Sequence, residues 1–230
     1  LMQDEALALS IVEAVVAACA PHGVPVTLKM RTGWCARVKN ALGIARAAES
    51  AGVQMVTVHG RTREQGYKGV AEYDTIAAVK AALKIPVVAN GDIDSPEKAS
   101  AVLRATGADA LMIGRAAQGR PWIFREIAHF LATGRELAPP LVLEVRRALL
   151  AHLQDHYGLY GEHTGVRSAR KHIGWYVRGL PGGEAFRQRM NRIDSAAVQW
   201  QVVADYFEEL ADTHERLPAQ SQPAPGVEAH

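Results

Sequence analysis

Four short apolar segments, each followed by a polar or glycine-rich tip, constrain the fold of this chain more than any other feature. They occupy residues 24–33, 53–62, 85–93 and 107–117. A helical stretch of roughly 15–20 residues separates each tip from the next strand, which is typical of βα units with parallel strands. We therefore predict an α/β fold with four parallel strands.

Polar side chains stand at the carboxyl end of each predicted strand, the end that forms the active-site face of a parallel α/β barrel. They are Lys29, Arg31, His59, Arg61, Asn90, Asp92 and Arg115. A closed (β/α)8 TIM barrel needs eight strands in about 250 residues. Four strands precede an all-helical region, so we predict the carboxy-terminal half of a TIM barrel followed by a small helical domain. Truncation of a longer chain is the simpler explanation, and pairing with another copy is the alternative.

The sequence after Gly134 shows no further strand pattern. Pro139 and Pro140 form a stiff linker, so we predict a partial barrel over residues 1–138 and a helical domain over residues 139–213. Residues 214–230 are polar and proline-rich, and we expect this tail to be disordered. Helices are predicted over residues 4–20, 37–51, 73–83, 96–105, 121–133, 141–157, 164–178, 183–191 and 195–213.

Composition narrows the functional classes. The formal net charge of the 230 residues is only +2, so global charge gives no argument for nucleic acid. Cys19 and Cys35 have neither metal-ligand nor disulfide spacing, so we expect no metal site and a reducing, cytoplasmic setting. No run of about 18 uncharged apolar residues occurs, so no transmembrane helix and no membrane partner are expected.

The last two tips are typical of a phosphate site. They contain Asn90, Gly91 and Asp92 after the third strand, and Gly114 and Arg115 after the fourth. Loops at these places in a barrel commonly bind phosphate through backbone N–H groups, glycine permits a close approach, and arginine adds a charge-assisted contact. The alternative is that the glycines only form turns and the arginine is solvated.

Lys29 and His59 lie at the ends of the first two strands. Strand alternation places Lys29 on the inner side of a barrel, where a buried lysine needs an anionic partner. A flavin ring, which is electron-rich around N1 when reduced, is one such partner. The alternative is an internal ion pair with Asp92 or with a glutamate. His59 could hydrogen-bond a phosphate, a flavin edge or a base. The alternative is a purely structural role.

The helical part contains a local basic region. Residues 161–192 carry seven arginines and lysines against two glutamates, a net charge of +5. Arg167, Arg170 and Lys171 share one helical face because they are spaced i, i+3 and i+4. Such a face suits the phosphate backbone of RNA, and a solvated charged face is the alternative.

Several sequence runs, taken together, resemble a known family. VTLKMRTGW, TVHGRT, VANGDI and ADALMIGRAAQGRPWIF, followed by RSARKHIGWY in the helical part, resemble tRNA-dihydrouridine synthases, in particular the bacterial B-type. The runs occur in the family's order and spacing and extend over nearly the whole chain before the tail. The resemblance implies an FMN-binding barrel and a tRNA-binding helical domain. In that family NADPH reduces FMN, and the flavin passes hydride to the C5–C6 double bond of a tRNA uridine.

The resemblance also implies roles for individual residues. Lys29 contacts the isoalloxazine, and His59 lies near the flavin and the substrate. The remaining cofactor-binding positions are Asn90, Gly91 and Asp92, which line the FMN site, and Gly114 and Arg115, which hold its phosphate end. Arg167, Arg170 and Lys171 are the corresponding RNA-binding candidates.

One family feature is absent from this sequence. The general-acid cysteine, which lies in a CPxxKV-type motif, is expected upstream of Leu1, so we predict that the chain as given contains no catalytic residue and is inactive. Cys35 follows the Lys29 strand in a different sequence context. Two other functions stay open: an FMN-dependent, phosphate-binding barrel oxidoreductase of the dihydroorotate-dehydrogenase type, and a non-catalytic RNA-binding remnant.

Overall fold

A computed structural model describes residues 1–218 of the chain. The chain divides into two compact units. The first contains residues 1–115 and 130–132, and the second contains residues 116–129 and, among the described residues, 133–218. The division therefore falls at the end of the last strand, whereas the sequence predicts a boundary between residues 138 and 139.

The first unit is built on a sheet of four parallel strands. They are β1 (Thr27–Arg31), β2 (Met55–His59), β3 (Val87–Asn90) and β4 (Ala110–Met112). Their spatial order is β1-β2-β3-β4, so each strand pairs with the next one along the chain. Sequential order without a reversal is the arrangement of a barrel segment, whereas a doubly wound sheet reverses its order at a switch point. The predicted α/β fold with four parallel strands is confirmed.

The helices of the first unit are α1 (Glu5–Cys19), α2 (Ala41–Ser50), α3 (Asp74–Ala82) and α4 (Pro96–Thr106). Helices α2, α3 and α4 pack against one face of the sheet, and α1 packs against α2. The strand residues on that face are buried, among them Val56, Val58 and Ala89. The opposite face begins with Thr27 and Lys29, which are exposed. The sheet therefore has one packed apolar face and a second face that carries the polar residues, open at β1 but buried at Thr57 and Val88.

Local signals set most helix ends. The Ser95 hydroxyl accepts the N–H of Lys98 and Pro96 follows as the first helical residue, so α4 begins as predicted. Gly107 ends α4 in the left-handed conformation. The prediction that α2 starts at residue 37 is wrong. The N–H of Trp34 bonds to the carbonyl of Val38, so a tight turn occupies the segment before residue 41.

Helix α1 is the most exposed helix of the first unit. None of its residues is buried, and Leu7, Ile11 and Val15 are among the exposed apolar side chains. By length and composition alone, the segment Glu5–His22 would reach across a membrane. That finding departs from the expectation that no such segment exists. It is weak evidence for a membrane location, because core helices and signal sequences have the same properties.

The second unit is helical. Its elements are α5 (Ile123–Thr133), of which residues 130–132 belong to the first unit, α6 (Val142–Tyr176), α7 (Gly183–Met190) and α8 (Ala196–Thr213). The core of this unit includes Leu149, Leu153, Ile173 and Phe207, all fully buried.

Helix α6 consists of two helices joined at a sharp turn. Gly161 adopts φ 71° and ψ 171°, a conformation outside the helical region. The two halves lie against each other, because His156 Nε2 and Ser168 Oγ are 2.7 Å apart. Gly165 allows this approach, since a Cβ there would lie 3.2 Å from the Cα of Tyr157. The predicted helices 141–157 and 164–178 correspond to these halves.

The end of the described chain pairs with the start of α6. The N–H of Val142 donates to the carbonyl of Glu215, and the N–H of Leu217 donates to the carbonyl of Pro140. Leu217 is buried. Residues 214–217 are therefore ordered, contrary to the prediction that the disordered tail begins at residue 214. Residues 219–230 of that predicted tail lie outside the described residues.

Candidate functional site

The parallel register brings the predicted site residues to one edge of the sheet. Arg31 lies opposite His59, His59 opposite Asn90, and Asn90 opposite Met112. The Asn90 side-chain amide donates to the Met112 carbonyl at 2.7 Å, which fixes its position at the end of β3. The carboxyl ends of the four strands therefore form a single row of polar groups.

Lys29 stands on the open face of β1, opposite Thr57 in the register. Its side chain is exposed, and within the described residues it takes part in no hydrogen bond or ion pair. The alternative that Lys29 is neutralised internally by Asp92 is therefore wrong within the structure described, because Asp92 pairs with two arginines instead. An unpaired ammonium on this face is available to an anionic ligand.

Arg61 and Asp92 form a buried, bidentate ion pair. Arg61 Nη1 and Nη2 donate to the two carboxylate oxygens of Asp92 at 2.8 and 2.7 Å. The guanidinium also donates to the carbonyls of Lys68 and Gly69, and the N–H of Ala71 donates to Asp92. Burial opposes ionisation of Asp92, yet the hydrogen bonds and the charge of Arg61 outweigh it and hold the carboxyl pKa below its ordinary value. Asp92 thus ties the loops after β2 and β3 together.

Arg115 and Arg31 approach the same aromatic ring. Arg115 lies 3.2 Å from Asp92 but remains largely exposed, and its guanidinium is 5.1 Å from the ring centroid of Tyr67. The Arg31 guanidinium is 5.8 Å from that centroid and donates to the carbonyls of Thr62 and Gly66. Sequence reasoning missed Tyr67. The sequence signal was an aromatic residue between Gly66 and Lys68 in the loop after β2.

His59 is buried among cationic groups. Burial, followed by the charges of Arg31, Lys29 and Arg61, lowers the pKa of its imidazole to about 4, and Asp92 only partly offsets these effects. The imidazole is therefore neutral at physiological pH. One ring nitrogen donates and the other accepts, so His59 can serve a ligand as either partner.

Gly91 and Gly114 present backbone donors at the ends of β3 and β4. Within the described residues neither N–H donates to a protein acceptor. Gly91 has φ 125°, and a Cβ there would lie 2.8 Å from Ala71 Cβ and 3.0 Å from His59 Cδ2. A Cβ at Gly114 would meet nothing within 4 Å. These two N–H groups and the Arg115 guanidinium are the kinds of donor that bind a phosphate group in proteins.

The basic helical face is less uniform than the sequence predicts. Arg170 donates to Asp194 at 2.7 Å and to the carbonyl of Ile193 at 2.9 Å, so its charge is already paired. Arg167 and Lys171 are exposed. Lys171 Nζ lies 5.1 Å from the ring centroid of Trp175, which is half-buried. Two of the three predicted cations are thus free to meet a phosphate backbone.

The sheet, its polar carboxyl edge and the helical unit define an α/β protein with cationic side chains at the strand ends. The model of the dihydrouridine synthase (Dus) family matches residues 1–212. The chain therefore belongs to the dihydrouridine synthase family, which confirms the family indicated by the sequence motifs.

Three curated relatives, each named tRNA-dihydrouridine synthase B, are similar over most of this chain. The Xanthomonas axonopodis pv. citri protein is 57% identical over 210 residues, covering 91% of this chain and 62% of the relative. The Pseudomonas putida protein is 54% identical over 220 residues, covering 96% and 64%. The Shewanella oneidensis protein is 57% identical over 210 residues, covering 91% and 64%. The chain thus spans about three fifths of the length of these relatives.

Proposed function

We propose that this chain forms the cofactor-holding and RNA-binding part of an FMN-dependent tRNA-dihydrouridine synthase. The reaction is reduction of the C5–C6 double bond of specific tRNA uridines, with NADPH as the reductant. The observation that carries this proposal is the row of cationic groups and free backbone donors at the carboxyl edge of the sheet, in a chain of this family. Because tRNA is a cytoplasmic molecule, we place the activity in the cytoplasm.

The phosphate end of FMN is assigned to the ends of β3 and β4. The N–H groups of Gly91 and Gly114 would donate to phosphate oxygens, and the exposed Arg115 guanidinium would add a charge-assisted contact. Asn90 and Asp92 act differently. Asn90 is bound to the Met112 carbonyl and Asp92 to Arg61, so both hold the loops in place around the cofactor.

The ring end of FMN is assigned to Lys29 and His59. Bound FMN would supply the hydride chemistry. The exposed Lys29 ammonium is free to stabilise negative charge on the flavin ring, and it has no competing partner in the described part of the chain. The neutral imidazole of His59 can orient a flavin edge or a uracil through a hydrogen bond without adding charge.

The helical unit is assigned to tRNA. Arg167 and Lys171 would contact phosphates, while Arg170 supports the turn that holds Ile193 and Asp194. A uridine inside folded tRNA has to leave its stack to meet the flavin, so the RNA must be held firmly while the base turns out.

A chimera tests the enzymatic proposal. Residues 1–212 would replace the matching part of the Xanthomonas axonopodis relative, in a bacterial strain that lacks its own dihydrouridine synthases. We expect mass spectrometry to find dihydrouridine in the tRNA. Lys29→Ala should reduce this signal at least about tenfold, as expected for a lost electrostatic contact in a site. Lys84→Ala, which removes an exposed lysine outside the site, should not.

The possible outcomes separate the proposed function from its alternatives. A folded chimera that binds FMN and tRNA but makes no dihydrouridine would overturn the proposed function. Flavin binding without tRNA binding would favour an oxidoreductase of the dihydroorotate-dehydrogenase type. RNA binding without flavin would favour a non-catalytic remnant. Equal activity of the Lys29→Ala and Lys84→Ala chimeras would remove the role given to Lys29.

A salt titration tests the RNA surface. Each phosphate contact contributes about −0.9 to the slope of log K against log salt on duplex nucleic acid. Replacing Arg167 and Lys171 by alanine should therefore flatten the slope for tRNA binding by nearly two. The matched control replaces Arg46 and Lys84, two exposed cations of the first unit. If both double variants keep the wild-type slope, the RNA surface lies elsewhere.

A further inference from the structure

Three histidines that the proposed function does not use come together in the second unit. His152 and His156 lie one turn apart on the first half of α6, and His172 lies on the second half. The turn at Gly161 brings the two halves side by side, so residues 16 and 20 positions apart in sequence become neighbours. One potential ligand nitrogen from each imidazole lies within 4.8 Å of the other two.

The spacing of the three rings is that of a metal site. The ring centroids of His152 and His156 lie 5.0 and 5.1 Å from that of His172, and they are 6.1 Å apart from each other. Two imidazoles on one tetrahedral zinc ion, with Zn–N near 2.0 Å, have ring centroids about 5 Å apart. The separations of His152 and His156 from His172 match this value, and the separation between His152 and His156 is about 1 Å longer.

The surroundings of the histidines suit a metal ion, which binds imidazole in its neutral form. All three side chains are half-buried, so water can reach the open side of the cluster.

A hydroxyl group fixes one of the ligands. Ser168 Oγ donates to the Thr164 carbonyl at 2.7 Å and lies 2.7 Å from His156 Nε2. Because the Ser168 hydroxyl donates its proton to the Thr164 carbonyl, its oxygen accepts the Nε2–H of His156. The lone pair on His156 Nδ1 is then free to bind a metal ion. Outer-shell bonds of this kind orient metal-binding histidines in known sites. The rings of Tyr160 and Trp175, 4.6 Å from His156 and 4.9 Å from His172, provide an aromatic surround.

We propose that His152, His156 and His172 bind one divalent transition-metal ion, with Zn²⁺ as the physiological candidate and water in the fourth position. An all-imidazole ligand set suits zinc, copper and nickel and disfavours magnesium and calcium. The expectation that the chain holds no metal rested on cysteine spacing, and this site contains no cysteine. The site is independent of the proposed flavin chemistry, because all its ligands belong to the second unit.

Isothermal titration of the tag-free chain with ZnCl₂ tests the site directly. We expect one Zn²⁺ per chain. His172→Ala should weaken binding at least about 100-fold, since losing even an outer-shell partner of a ligand typically weakens metal binding 10–100-fold. Ser168→Ala should weaken it about 10-fold. His163→Ala removes an exposed histidine of the same helix and should leave binding unchanged. Circular dichroism would check that each variant is folded.

A second titration with Co²⁺ reports the geometry, because tetrahedral Co²⁺ absorbs visible light far more strongly than octahedral Co²⁺. Strong absorption that Zn²⁺ displaces would support the proposal. Equal Zn²⁺ affinity of wild type and His172→Ala would overturn it, because His152 and His156 alone would then explain the binding. Absence of stoichiometric binding to the folded wild-type chain would also overturn it. Neither result would affect the dihydrouridine measurement in the chimera.

Discussion

Replacing Asp92 by Asn removes the carboxylate that pairs with Arg61 in the described part of the chain. The Arg61 side chain is only 3% exposed, and the Asp92 side chain 22%. In the variant, the guanidinium keeps only the neutral carbonyls of Lys68 and Gly69, and the new amide group places N–H donors where a carboxylate oxygen accepted. The guanidinium cannot release its charge, so the variant must bury it without a counterion.

The structure sets the size of the expected loss. Removing one partner of a buried ion pair costs about 3–5 kcal/mol, and the partial exposure of Asp92 favours the lower end. We therefore expect the first unit to lose about 3 kcal/mol of unfolding free energy at pH 7. Asp92 has a lowered pKa when folded, so the stability from its ionised form is present above the unfolded pKa near 3.9 and is lost as the pH falls further. The difference between the proteins should shrink below about pH 4.

Urea unfolding followed by circular dichroism measures this difference, with equal slopes required for a direct comparison. Glu184→Gln is the matched control, because it removes a carboxylate from a solvent-exposed arginine pair. That variant should unfold at the wild-type urea midpoint. A loss below about 1 kcal/mol for Asp92→Asn, the range of a surface pair, would refute the reasoning.

Two further predictions concern the same edge of the sheet. The NMR titration of His59 should have its midpoint near pH 4. Because the unfolded histidine takes up its proton at a higher pH than the folded one, the unfolding free energy should decrease as the pH is lowered from about 6.5 to about 4. A titration midpoint near pH 6.5 would contradict the structure. Gly91→Ala should lower the unfolding free energy by more than about 1 kcal/mol, because φ is 125° and the new Cβ meets Ala71 and His59. Gly114→Ala places a Cβ in open space and should change the unfolding free energy little. Similar urea midpoints for the two alanine variants would contradict the second prediction.

Much of the first unit could be predicted because its signals are local. Apolar runs of strand length separated by helical stretches indicate parallel strands, and Ser95 with Pro96 marks a helix start by its own chemistry. Parallel pairing then places the strand ends at one edge, so Lys29, His59 and Asn90 could be grouped from sequence. The start of α2 could not be predicted, because it depends on a turn closed by backbone bonds between residues 32 and 41.

Pairing between charges was decided by the tertiary structure. From sequence, Asp92 was a candidate partner for Lys29 and a residue of the cofactor site, and Arg170 was one of three equivalent cations. In the fold Asp92 binds Arg61, and Arg170 binds Asp194. Which opposite charges form an ion pair depends on the conformation of the loops, and the spacing of residues in the sequence does not determine that conformation.

The sequence by itself determined the alternation of strands and helices, the helix caps and the family, because each depends on residues close together along the chain. Only the tertiary structure decided the environment of His59 and the meeting of His152, His156 and His172. The reason is physical. The charges around His59 come from strand β1 and from the loops after β2 and β3, and the histidine cluster exists only because α6 reverses at Gly161. Such contacts form when distant segments pack together, and local propensity does not specify them.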